Sequence, residues 1–343
     1  MDISSMTLDE LEVFVLSQNE KKFRAKQIFE WIHKRHARSF CEMTNLSAQF
    51  REALESEHNI EQIEVERKYE SFNNDVYKYL LRLPKDTIIE SVLMKYSFGE
   101  SICVSSQAGC AMGCTFCCSG EDGFLRNLSA YEILAQVYRV CEDANTRINN
   151  IVIMGSGEPL HNFDNVVKFI EIVSHEQGLN IGKRHITLST CGIVPRIYEL
   201  ADLRLQINLA LSLHASNDCV RKKLMPVAES YSMDETLLAC DYYAKTTGRR
   251  ITYEYALVKG INDSPEFARE LGDRLKGRLA HLNLIPVNAG SKKGFHSPER
   301  KGIQIFHETL TKLGVSVSIR RELGSDIAAA CGQLRSEYAV SRP

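Results

Sequence analysis

The chain has 343 residues, of which 44% are hydrophobic and 25% charged, with a formal net charge of -2. This length allows about two units, or one large α/β barrel with an accessory piece, and the composition excludes a disordered or repeat protein. The near-neutral balance excludes a uniformly basic nucleic-acid-binding domain, so contacts to an anionic partner must be local.

The first segment, MDISSMTLDELEVFVLSQ, lacks the basic region and apolar core of a secretory signal, and no stretch approaches the roughly 20 apolar residues of a membrane span. A cytoplasmic protein is expected. Residues 1 to about 65 read as helical, with Thr7 and Glu10 spaced as a capping box. From Glu20 to Arg38 the chain carries seven Lys/Arg against two acids, while Phe23, Ile28, Trp31 and Ile32 recur at helical spacing. That pattern is a helix with an apolar stripe and a basic outer face. Residues 66 to 95 switch to alternating strand-like runs, YKYLLRL and TIIESVLMKY, and predict a short antiparallel linker sheet.

From Ile102 onward strand-like runs (ICVSS, NIVIMG, HITLST, INLALSL, RITYEYALV, HLNLIPV, VSVSIRR) alternate with helical ones. Such alternation predicts a parallel sheet, open or curled into a barrel, with active residues at the C-terminal strand ends. The expected fold is α/β: a partial (β/α)6 barrel over residues 96–343, preceded by an N-terminal helical domain (1–65) and the β linker (66–95).

Five of the eleven cysteines, Cys103, Cys110, Cys114, Cys117 and Cys118, fall within sixteen residues. In a chain without a secretion signal, clustering of this kind argues for metal or redox chemistry rather than a disulfide scaffold. In GCAMGCTFC the cysteines Cys110, Cys114 and Cys117 stand in a C-x3-C-x2-C arrangement just after the first βα strand. Thiolates suit zinc or iron-sulfur clusters. Three of them leave one iron of a cubane open to a chelating substrate, whereas structural zinc would require a fourth ligand, and Cys118 is badly placed to supply it beside Cys117.

Further motifs end later strands. GSGEP (Gly155–Pro159) supplies two glycines that let backbone approach a ligand and an anion, Glu158, for a ligand ammonium. TLSTCG and ALSLHA carry Ser189, Ser212, Leu213 and His214; NLIPVN carries Asn288; SDIAAACGQL carries Cys331. On residue type alone, His214 is a structural histidine, Asn288 a turn residue, Cys331 a buried thiol and Glu90 in IIESV a solvent-facing strand glutamate.

The cysteine loop, the FLRNLSAYEILAQV that follows it and these later motifs resemble, in order and over about Phe23 to Leu334, the radical S-adenosylmethionine (SAM) family that methylates adenine in 23S rRNA and tRNA (the RlmN/Cfr group). The resemblance implies a 4Fe-4S cluster on Cys110, Cys114 and Cys117. It implies SAM contacts from Gly157, Glu158, Ser189, Ser212, Leu213, His214 and Asn288. It further assigns Cys331 as the methyl-carrying cysteine, Cys103 as the thiol that forms a transient disulfide with it, and Glu90 as the acceptor of the ring proton.

Carbon 2 of adenine is an electrophilic amidine carbon, so a polar methyl transfer from SAM is excluded. The family's route uses two SAM molecules per turnover, one to methylate Cys331 and one to give a radical that activates that methyl group. The resemblance thus implies a carbon-2 methyltransferase acting on adenine 2503 of 23S rRNA and adenine 37 of tRNA, a monomer served by a reducing system such as flavodoxin or ferredoxin. The alternatives are the carbon-8 branch linked to antibiotic resistance and a non-catalytic iron-sulfur RNA-binding redox sensor. For phosphate contact the sequence offers the Glu20–Arg38 helix and the basic groups Arg221 to Lys223, Arg249-Arg250, Lys292-Lys293 and Arg320-Arg321.

Overall fold

The computed structural model describes residues 2–121, 123–287, 294–320, 323–329 and 332–333. Helix α1 (Leu8–Ser17) opens with the expected capping box: the Thr7 hydroxyl accepts from the Glu10 amide while the Glu10 carboxylate accepts from the Thr7 amide. Helix α2 (Phe23–His33) buries Ala25, Ile28, Phe29, Ile32 and His33; of the predicted stripe, Phe23 instead points outward. Its basic flank is partly engaged. Lys22 pairs with Glu12 at 2.8 Å, Arg38 with Glu142 at 3.3 Å, and Arg24 donates to the Asn45 carbonyl, which leaves Lys21, Lys26, Lys34 and Arg35 as exposed positions, Arg35 lying over the Trp31 ring. Helix α3 (Ala48–Glu57) completes the N-terminal group.

Strands β1 (Glu64–Glu70), β2 (Val76–Leu83) and β3 (Thr87–Tyr96) run antiparallel, and β3 pairs with β4 (Gly99–Cys103). The predicted linker ribbon is therefore the flank of the main sheet rather than a separate sheet. A small hairpin, β5 (Gln107–Gly109) with β6 (Phe124–Asn127), follows and brackets the cysteine loop. Then the crossovers set in: α4 (Ala130–Ala144), β7 (Ile148–Ile153), α5 (Phe163–Ser174), β8 (Ile186–Thr190), α6 (Val194–Asp202), β9 (Asn208–Ser212), α7 (Asp218–Leu224), α8 (Met233–Thr247), β10 (Ile251–Leu257), α9 (Pro265–Leu275), β11 (Ala280–Pro286), α10 (Arg300–Lys312) and β12 (Val317–Ile319).

The sheet order is β1-β2-β3-β4-β7-β8-β9-β10-β11-β12, with every pair from β4 onward parallel. Six parallel strands of five to seven residues, β4 and β7 to β11, make the barrel wall, and the three-residue β12 extends it. Among the described residues β1 and β12 do not pair with each other, so the barrel is partial. Parallel strands covered on both faces read as apolar runs, and β10 (ITYEYAL) is buried at all but one position. One continuous apolar core joins the N-terminal helices, through Ile28 and Phe29, to the barrel and to Leu310 of α10. Among the described residues no helix is long and apolar enough to cross a membrane.

Candidate active site at the barrel mouth

The C-terminal ends of the parallel strands surround an open cavity of about 1170 Å³. Cys110, Cys114 and Cys117 form part of its wall. Their loop is pinned at several points. Gly109 has φ +73, and a Cβ there would stand 2.0 Å from the Gly123 carbonyl, so only glycine closes the hairpin. The Cys110 amide donates to Gly123 O at 3.0 Å, Thr115 N to Leu224 O at 2.9 Å, and Cys118 N to Gly332 O at 2.8 Å. Burial raises the thiols, Cys110 to about 11 and Cys114 to about 12, with neighbouring thiolates adding to the effect.

A bound metal would stabilise these thiolates, which the bare protein disfavours. Among the described residues no three His, Cys, Asp or Glu side chains converge closely enough for a single ion. The soft three-thiol set suits an iron-sulfur cubane, each cysteine on a different iron and the fourth iron left for a ligand.

GSGEP is tightly seated beside this loop. A Cβ on Gly155 would lie 2.6 Å from Ser105 Oγ and 2.7 Å from the Val104 carbonyl; one on Gly157, at φ +102, would lie 2.5 Å from Gln107 Cβ. Both glycines line the cavity with bare backbone. Glu158 is 4% exposed and already held: Oε1 accepts from Leu160 N at 3.0 Å and Thr190 Oγ1 at 2.7 Å, and Oε2 accepts from Cys191 N at 2.7 Å. Burial pushes its carboxyl up against the lowering effect of these bonds. The Cys191 side chain bonds it as well, so four protein groups engage this carboxylate, and a ligand ammonium would reach it from the cavity side as a further partner.

Ser189, Ser212 and His214 line the same cavity. Leu213 is fully buried behind it, its amide donating to Glu254 O at 3.0 Å. His214 adopts φ +55, and its Nδ1 accepts from the Ala256 amide at 2.9 Å, which places the proton of the neutral ring on Nε2. Burial lowers its pKa to about 3, and Phe116 of the cysteine loop packs edge-on at 4.8 Å. Asn288 and Cys331 lie outside the described residues.

Glu90 and Cys103 are not among the cavity-lining residues. Glu90 is 3% exposed, its Oε1 3.7 Å from Nζ of the equally buried Lys78. The plain reading of a solvent-facing strand glutamate is thus overturned, because β3 is an inner strand of a sheet covered on both sides. Cys103 packs in an apolar group with Val76, Val92, Met94 and Ala329. No disulfide joins two of the described cysteines.

Other expectations change. Arg221 is fully buried, donating from Nη2 to the Cys191 carbonyl at 2.7 Å, and cannot contact phosphate; Lys222 and Lys223 are exposed. Arg249 bonds the Asn208 side chain just before β10 begins, at the end of the sheet away from the cavity mouth. Arg320 belongs to the cavity wall. Lys292, Lys293 and Arg321 lie outside the described residues. Thr190, Cys191 and Gln107, which hold Glu158 and its loop, were not singled out in the sequence, and Arg221, which holds them in turn, was read there as a phosphate contact. The one signal was Arg221 itself, which lies between Val220 and Leu224 on the apolar side of a short helix.

Residues 1–60 match the family described as ribosomal RNA large subunit methyltransferase N-terminal domain, and residues 104–271 match the radical SAM superfamily. The chain is 52% identical over 98% of its length to a probable dual-specificity RNA methyltransferase RlmN of Alkaliphilus oremlandii, 98% of which is covered. It is likewise 52% identical, at 98% coverage of both chains, to a protein of the same name from Clostridium novyi. The crystal structure of a radical SAM methyltransferase from Sphaerobacter thermophilus superposes with TM-score 0.91 at 39% identity, covering 98% of this chain and 100% of that one.

Proposed function

The chain belongs to the RlmN family of dual-specificity RNA methyltransferases, which are radical SAM enzymes, and from that premise we propose that it methylates carbon 2 of an adenine in both 23S rRNA and tRNA, at adenine 2503 and adenine 37, through a methylated Cys331. The carrying observation is that the three-cysteine loop, the Gly157–Glu158 turn, Ser212 and His214 meet in one cavity at the C-terminal ends of the strands.

In this reading Cys110, Cys114 and Cys117 hold the cluster. Gly157 and Glu158 receive the methionyl amine of SAM, and Ser189, Ser212, Leu213, His214 and Asn288 form the rest of its seat. When bound, the reduced cluster supplies the electron that cleaves SAM to a 5′-deoxyadenosyl radical. Cys331 acts as nucleophile toward the methyl group of a separate SAM, so two SAM molecules are used per turnover. The 5′-deoxyadenosyl radical would take a hydrogen atom from the Cys331 S-methyl group, and the carbon so formed would bond to the ring; Cys103 would then attack the Cys331 sulfur, breaking the carbon–sulfur bond to free the methylated base and leaving a disulfide that needs an external reductant, while a reducing system such as flavodoxin or ferredoxin supplies and recovers the single electrons. Support for this pairing comes from Ala329, which shares the apolar group of Cys103, and Gly332, whose carbonyl accepts from Cys118.

Glu90 takes the ring proton, with Lys78 Nζ 3.7 Å from its Oε1. A base inside folded RNA must be splayed out to reach such a cavity. Lys21, Lys26, Lys34, Lys222 and Lys223 offer exposed charge for the phosphates. With these substrates the protein works in the cytoplasm.

The test is mass spectrometry of nucleosides from 23S rRNA fragment and from tRNA after incubation with anaerobically reconstituted protein, SAM and reductant. The reading expects 2-methyladenosine in both RNAs and none with Cys331→Ala. Formation of 8-methyladenosine would overturn the carbon assignment, and product in only one RNA would overturn dual specificity.

A further inference from the structure

Four strands set a polar row across the barrel below the cavity. Glu254 of β10 is registered with Ser212 of β9 on one side and Asn283 of β11 on the other, and Asn283 with Ser318 of β12. The side chains of Ser318, Asn283 and Glu254 form a chain of hydrogen bonds. Ser318 Oγ donates to Asn283 Oδ1 at 2.7 Å, and Asn283 Nδ2 donates to Glu254 Oε1 at 3.2 Å; His281 Nε2 braces Ser318 Oγ at 2.8 Å. This fixes one carboxylate oxygen of Glu254. The other, Oε2, accepts no hydrogen bond from any described residue, although Glu254 is 4% exposed and lines the cavity.

A buried carboxylate oxygen with an open acceptor site is unfavourable unless something fills it. Burial pushes the Glu254 carboxyl up, against the lowering effect of the Arg320 charge on the same wall, and no described residue donates a hydrogen bond to Oε2. The vacant position calls for a neutral or cationic hydrogen-bond donor delivered from the cavity.

The identity of that donor follows from where SAM must lie, so this inference rests on the reading above that the cavity binds SAM. The methionyl end is anchored by the cysteine loop and by Gly157–Glu158 at the end of β7, and β10 stands three strands further along the sheet. What reaches β10 is the nucleoside. Its vicinal ribose hydroxyls are a pair of short-range donors that match Oε2 and the Ser212 hydroxyl, which sits beside it in the same row and also lines the cavity. Carboxylates read ribose hydroxyls in the same manner in dinucleotide-binding folds. The apolar Ile285 and Val287 lie further toward the strand end, where a ring rather than a sugar fits.

We propose that Glu254 is a SAM-binding residue whose Oε2 accepts a hydrogen bond from the ribose hydroxyls, with Asn283 and Ser318 as positioning residues that aim it.

The test is calorimetric titration of anaerobically reconstituted holoprotein, of verified iron content, with SAM and with an analogue lacking both ribose hydroxyls. Glu254→Ala is expected to weaken SAM binding about tenfold to a hundredfold, and the near-isosteric Glu254→Gln to weaken it less. The analogue should bind wild type weakly and Glu254→Ala no more weakly still, since the two deletions remove one interaction. Equal losses for SAM and for the analogue, or unchanged SAM binding in both variants, would overturn the proposal. Failure of the iron-loaded wild type to bind SAM at all would instead overturn the functional reading beneath it.

Discussion

Arg221 holds Glu158 in place through a single intervening residue: its Nη2 donates to the Cys191 carbonyl at 2.7 Å, and the Cys191 amide donates to Glu158 Oε2 at 2.7 Å. A fully buried guanidinium therefore sets the position of the carboxylate that faces the cavity. Arg221→Met keeps most of the volume and removes the donor, leaving the Cys191 carbonyl unsatisfied. The expected cost is about 1–3 kcal/mol of stability, together with weaker SAM binding, measured by denaturant unfolding and calorimetry. Unchanged SAM affinity would contradict this coupling.

Lys78 and Glu90 form a second buried relationship, at 3.7 Å and with 2% and 3% exposure. Removing Lys78 takes away the cation that lies 3.7 Å from the buried Glu90 carboxylate. Lys78→Met should cost about 3–5 kcal/mol, whereas the double variant Lys78→Met/Glu90→Gln should recover most of that loss. Urea unfolding of both variants decides it, and additive losses would contradict the pairing.

Gly157 combines φ +102 with a Cβ position 2.5 Å from Gln107 Cβ. Gly157→Ala must displace Gln107, whose Oε1 accepts from the Glu158 amide at 2.8 Å. SAM binding should fall by more than tenfold, on the order of 1.4 kcal/mol or more, while far-ultraviolet circular dichroism stays unchanged. Normal binding by this variant would show that the turn does not approach the ligand.

His33 predicts an acid sensitivity remote from the site. It is fully buried against Tyr138 OH at 3.0 Å, and burial lowers its pKa from 6.5 to about 3. Because the unfolded state then binds the proton more tightly, the contribution of His33 to stability is complete above pH 6.5 and is lost as pH falls toward 3. The slope approaches 1.4 kcal/mol per pH unit, by about the same factor per group. Unfolding free energies of wild type and His33→Gln at about pH 7 and pH 5 should converge as the wild type loses this term. An identical pH slope in the two proteins would contradict it.

The parts legible in the sequence were those whose chemistry is local. The C-x3-C-x2-C spacing, the Thr7–Glu10 capping box and the strand-helix alternation each need only neighbours in the chain. What escaped depends on tertiary burial. Glu90 sits in a strand-like segment that would suit a sheet edge, but β3 lies inside the sheet and Lys78 faces it from the next strand. Arg221 was grouped with Lys222 and Lys223 by adjacency, although helical geometry turns it inward toward Cys191. Glu254 reads as one more residue of an apolar strand until the register with Ser212 and Asn283 shows it at the cavity.

The most direct measurement of the central claim, that methylation runs through radical chemistry in this cavity, is the joint yield of 5′-deoxyadenosine and methyladenosine. Reconstituted wild type and Cys114→Ala would be incubated anaerobically with SAM, reductant and RNA, and both products quantified by mass spectrometry. Both should appear together in wild type and both be absent in Cys114→Ala. Methyladenosine without 5′-deoxyadenosine, or methyladenosine made by the Cys114→Ala protein, would contradict the account.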